Sequence, residues 1–90
     1  MSHENWRFEV EAMVDPQSLL RVLGLFAQRS VVPDALQMRV GGGRMTICLT
    51  APDLPEAQAM IIAAKLEQIV LVDGVRLDAL EQGERQQVAA

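Results

Sequence analysis

The 90-residue chain has one cysteine, one histidine, one tryptophan, two phenylalanines and no tyrosine. A lone thiol, Cys48, closes no disulfide within the chain, which fits a reducing, cytoplasmic setting. It also removes the Cys-x-x-Cys pair that a copper-chaperone loop needs and the thiolate set of an iron–sulfur site. Basic residues are scarce: 8 Lys and Arg stand against 12 Asp and Glu, for a net charge of −4. They form no cluster, so neither a phosphate backbone nor an anionic membrane surface is an expected partner. The longest apolar run, "AMIIAA", is far too short to span a bilayer, and "MSHENW" opens without the apolar core of a secretory leader.

What the chain does have is apolar content, 50% of its residues. That suffices for one small domain, although a fold of this size leaves roughly a third or more of its unfolded-chain surface exposed, which favours pairing with a second copy. Residues 6–80 read as the domain, with 1–5 and 81–90 as flexible tails.

"WRFEVEAMV" alternates with period two. Trp6, Phe8, Val10, Ala12 and Val14 fall on one face and Arg7, Glu9, Glu11 and Met13 on the other, as in a half-buried strand. "DPQSLLRVLGLFAQRS" then reads as a helix, with Asp15 as N-cap and Pro16 at the first helical position. Leu19, Val22, Leu23 and Phe26 make its inward stripe, while Leu25 lies off it and Gly24 is an odd interior residue. "ALQMRV" places Leu36, Met38 and Val40 inward, "GGG" turns the chain, and "RMTICLT" places Met45, Ile47 and Leu49 inward. The two runs read as a β-hairpin.

In "APDLPEAQAMIIAAKLEQI" the spacing of Asp53 and Glu56 suggests a capping box, and Ala59, Ile62, Ala63, Leu66 and Ile69 form a core stripe. "VDGV" reads as a turn before a last strand, with Val75, Leu77 and Ala79 inward. The order is β-α-β-β-α-β, an α+β ferredoxin-like domain: a four-stranded antiparallel sheet with two helices on one face.

The chemistry-bearing residues are few. His3 reads as a tail residue rather than a catalyst, and Cys48, with no histidine to activate it, as a packed thiol rather than a nucleophile. The triple glycine lacks the Lys-Ser/Thr and helix of a phosphate loop. Glu9 and Glu11 share a strand face with no cleft implied, so a solvated face outweighs acid–base work. The outward strand positions carry no aromatics for stacking RNA bases. No catalytic residue, metal site or cofactor is expected. Met60, Ile61 and Ala64 lie off the core stripe of the second helix and either broaden that face or form a partner-contact patch.

"RVLGLFAQRS" resembles the first-helix signature of the ACT domain in the small regulatory subunit of acetolactate synthase, roughly R-V-x-G-L-F-x-x-R-G. Arg21, Val22, Gly24, Leu25, Phe26 and Arg29 match it, and Ser30 replaces the closing glycine. "RMTI", Arg44 to Ile47, is similar to the third strand of that family. The resemblance spans roughly Arg7 to Leu80 and implies a short, single-domain regulator that is not an enzyme. It implies a homodimer, a branched-chain amino acid effector such as valine, and a thiamine-diphosphate-dependent acetolactate synthase catalytic subunit as partner. The effector site it implies comprises Asp15, Pro16, Gln17, Ser18 and Leu19, with Val32 and Pro33 of the neighbouring copy. Gln17 stands where the family has a loop glycine and Val32 where it has an asparagine. A free-standing ACT-domain amino-acid sensor serving another partner is the alternative. An acylphosphatase-like hydrolase would need a basic, glycine-rich anion loop, and "VDPQS" is neither basic nor glycine-containing.

Overall fold

The computed structural model describes residues 3–80, without the side chain of His3; the proposed tail at 81–90 lies outside the described residues. Six elements follow in order: β1 (His3–Met13), α1 (Pro16–Gln28), β2 (Ala35–Gly41), β3 (Arg44–Pro55), α2 (Glu56–Glu67) and β4 (Val72–Leu80). The strands pair antiparallel in the order β2-β3-β1-β4, so β1 and β3 are central and β2 and β4 form the edges. Phe8, Val10, Ile47 and Leu49 on one face of the sheet join Val22 and Phe26 of α1 and Ala59, Ile62 and Leu66 of α2 in a single buried cluster. This is the ferredoxin-like βαββαβ arrangement read from the sequence.

Local signals explain most of the boundaries. Asp15 adopts an extended conformation and accepts the Gln17 N–H, capping α1 ahead of Pro16. At the other end Ser30 takes a left-handed φ of 59°. Its N–H reaches the Ala27 carbonyl and that of Val31 reaches Phe26, closing the helix in the six-to-one pattern usually built around glycine. The hairpin turns on Gly42 and Gly43, with φ of 60° and 75°; two successive positive angles select glycine and match the twist of the strands.

Several expectations need correction. β1 starts at His3 rather than after residue 5, because its first residues pair with Leu54 and Pro55 at the end of a long β3. It ends before Val14, which is exposed. The capping box of Asp53 and Glu56 does not form. Residues 51–55 continue β3 through a bulge, where Asp53 has a φ of 56° and its N–H is held by Asn5 Oδ1 at 3.1 Å. Pro55 forces Leu54 to stay extended, so α2 starts at Glu56, and it ends at Glu67 before Ile69. "VDGV" belongs to β4, not to a turn. Val75 and Leu77 do face the helices but are only half-buried, and Ala79 is exposed, because β4 is an edge. Leu25 is partly buried against the core although it lies off the stripe of α1.

The largest correction concerns β2. Leu36, Met38 and Val40 pair with Leu49, Ile47 and Met45, so they share the helix-side face. They are nevertheless 44%, 44% and 55% exposed. Alternation assigned the face correctly, but no helix among the described residues covers the edge strand there.

Gly24 is exposed in the middle of α1, and a Cβ built there meets nothing within 4 Å. Nothing among the described residues requires a glycine there. Gly24→Ala is therefore expected to stabilise the isolated chain by about 0.5–1 kcal/mol, read from the urea midpoint.

Candidate functional site

The best-defined polar geometry lies where β1 passes into α1. Pro16 has no N–H to offer. The Gln17 N–H is donated to Asp15 Oδ1 at 2.8 Å, and the Ser18 N–H to the Asp15 carbonyl at 3.0 Å. Ser18 is fully buried and its hydroxyl donates to the Met13 carbonyl at 2.8 Å, which ties the helix entry to the end of β1. A helix N-terminus attracts a carboxylate through unpaired amides. Here Asp15 already supplies that carboxylate. The Gln17 side chain is exposed at the mouth, Pro16 is exposed beside it, and Leu19 is half-buried against the core.

The second group of candidate effector residues is elsewhere. Val32 is 79% exposed and Pro33 half-buried, in the loop after α1. A helix of 13 residues is about 20 Å long, so Val32 and Asp15 lie near opposite ends of α1. One chain does not bring the two groups together. Asp34 follows Pro33, its N–H bonded to the Thr50 carbonyl at 2.9 Å and its carboxylate accepting the Thr50 hydroxyl at 2.5 Å. These bonds fix the loop at the head of β2.

The outer face of the sheet is a charge-paired surface. Arg76 bridges Glu9 at 3.1 Å and Asp78 at 3.2 Å, Arg7 lies 3.4 Å from Asp78, and the Thr46 hydroxyl donates to Glu11 at 3.1 Å. Glu9 and Glu11 are thus engaged by neighbours rather than paired with each other. Cys48 sits between them and β2, opposite Glu9 on β1 and Gln37 on β2. Burial pushes its thiol pKa up, the Glu9 carboxylate adds to this, and Arg7, Arg76 and Arg39 pull the other way. A raised pKa is the opposite of what activates a cysteine nucleophile. Among the described residues no three His, Cys, Asp or Glu side chains converge as a metal site would require. No helix among them is long and apolar enough to cross a membrane.

On α2, Met60, Ile61 and Ala64 are all exposed, so they are not part of the core. Sequence reasoning missed two features. Ser18 entered only as an effector-site candidate, although its spacing of four and eight from Val22 and Phe26 places it on their buried stripe. The uncovered face of β2 carried no signal, because alternation reports a strand face and not whether a helix lies over it.

Asp15→Ala removes the cap and is expected to cost about 1 kcal/mol of stability, measured by urea denaturation. Cys48 is expected to alkylate more slowly than a free thiol at pH 8, with its rate rising only at higher pH; Glu9→Gln should shift that rise partway back. A rate profile matching free cysteine would contradict the shielded thiol.

Comparison with known proteins agrees with the fold. A family model described as an ACT-like domain matches residues 1–84. No curated protein matches. Among solved structures, the ACT domain from the GTP pyrophosphokinase of Chlorobium tepidum superposes with a TM-score of 0.74 at 10% identity, covering 86% of this chain and all of that one (100%). A homoserine dehydrogenase from Thiobacillus denitrificans gives 0.73 at 24% identity, over 88% of this chain and 18% of that one. The ligand-free regulatory subunit of aspartate kinase from Thermus thermophilus gives 0.67 at 14% identity, over 83% of this chain and 50% of that one. Identities this low establish the fold alone, but the family match spans nearly the whole chain: it belongs to the ACT-like domain family.

Proposed function

We propose that this chain is a non-catalytic regulatory module, similar to the small subunit of acetolactate synthase, which controls branched-chain amino acid synthesis in response to an amino acid. The observation that carries this reading is the division of the candidate effector residues between the two ends of α1, beside an uncovered edge strand. A second copy of the chain would complete such a site.

Antiparallel pairing of β2 with the β2 of a second copy supplies the missing half. Gly41 pairs with Arg44, and Arg44 with Met13, so the end of β2 lies on the α1-entry side. A two-fold pairing sets the partner's start of β2, and the loop before it, beside that entry. It also satisfies the open N–H and C=O edge and buries Leu36, Met38 and Val40. Asp15 then acts as a built-in anion that an incoming amino acid carboxylate must displace or avoid. That favours an effector bound mainly through its ammonium and side chain, or a weakened response.

A second reading, favoured by the same occupied helix terminus, is a free-standing ACT-domain module serving another enzyme. The two are separated by co-expression with an acetolactate synthase catalytic subunit. The first expects co-elution and a changed rate or valine sensitivity. A chain that neither associates with that enzyme nor alters it excludes the first reading, and calorimetry against a panel of amino acids then tests the second. Either reading expects a dimer by light scattering, lost in Met38→Asp with the fold retained by circular dichroism.

A further inference from the structure

At the far end of α1 from the helix cap, an open depression of about 360 Å3 lies between α1 and α2. It is lined by Leu25, Gln28, Arg29 and Ser30 of α1 and its closing turn, and by Gln58 and Lys65 of α2. None of these residues belongs to the candidate effector site. Its polar side chains are a guanidinium, an ammonium, a hydroxyl and two amides, all able to donate, with no carboxylate among them.

Two observations set this groove apart from an ordinary solvated surface. Arg29 is half-buried, yet among the described residues its guanidinium forms no ion pair. Arg29 is the C-cap of α1, where the helix terminus favours a cation, and among the described residues its guanidinium is left available to an arriving anion. Ser30 holds the left-handed angle that glycine adopts without strain, and so adds a hydroxyl to the rim at a conformational cost. The helix dipole gives a partial account of Lys65, which lies in the last turn of α2. It gives none of Gln58, which lines the groove two turns earlier and is half-buried.

We propose that this groove binds a small, doubly charged oxyanion, a phosphoryl group or a dicarboxylate. Arg29 would offer a planar fork to two oxygens and Lys65 a point charge from the facing helix. Ser30, Gln28 and Gln58 complete the donor set, and Leu25 gives the carbon side of the ligand an apolar contact. Because the ligand touches both helices, its binding couples the closing turn of α1 to α2, whose outer flank carries Met60 and Ile61.

The test is an amide NMR titration of the full 15N-labelled chain with inorganic phosphate and, separately, with succinate, against sodium chloride at matched ionic strength. Saturable shifts are expected at Arg29, Ser30, Gln58 and Lys65. They should weaken by about tenfold or more in Arg29→Gln/Lys65→Gln, with the dispersion of the spectrum showing that the variant is folded. The tighter of the two probes identifies the ligand class. Shifts that stay linear and equal those with chloride overturn the proposal, as do saturable shifts that survive the double substitution. An amino acid bound at the cap of α1 perturbs residues 15–19 instead, so this result and that of the proposed regulatory role are read separately.

Discussion

The packing of Phe8 against Phe26 is the contact on which the arrangement depends. Their ring centroids are 5.1 Å apart with planes at 89°, edge to face, and both side chains are essentially inaccessible. Such a pair contributes about 0.5–1.5 kcal/mol beyond the area it buries. Its position matters more than its energy. Phe8 stands in a central strand between β3 and β4, and Phe26 stands in the last turn of α1. The pair fixes where α1 ends over the sheet. The closing turn at Ser30, the loop of Val32 and Pro33, and the start of β2 follow from that placement.

At the other end of α1 the anchor is polar. Ser18 is buried with its hydroxyl on the Met13 carbonyl, and Asp15 holds the Gln17 amide. An aromatic contact at one end and a capped, hydrogen-bonded entry at the other leave α1 little freedom to shift. Any ligand at either end meets a preorganised surface. The entry end already contains its own anion, Asp15, whereas the closing end offers cations without one. Each end thus carries the side-chain charge that a helix dipole favours there.

The sheet divides its labour by strand position. Its outer face carries the ion pairs of Arg7 and Arg76 with Asp78 and of Arg76 with Glu9, and Glu11 accepts the Thr46 hydroxyl, with Cys48 among them. Its inner face is covered over β1 and β3 and left open at β2. Opposite-charge neighbours offset one another on the outer face, while the edge strand β2 is left with an open backbone edge and exposed apolar side chains.

The alternation of Trp6 to Ala12 and of Met45 to Leu49, the stripe of Val22 and Phe26, and the glycine turn fixed the element order and most of the core. Each is a local periodicity that survives folding because burial on one face selects it. The cap at Asp15 was equally legible, since it acts within two residues of itself. The bulge at Asp53 was not, because it answers to Asn5 on another strand, and neither was the length of β3, which depends on what β1 offers it to pair with. The exposure of Leu36, Met38 and Val40 and the donor-lined groove between α1 and α2 were decided only in three dimensions. Sequence pattern states which way a side chain points; whether anything lies there to cover it depends on where the helices come to rest.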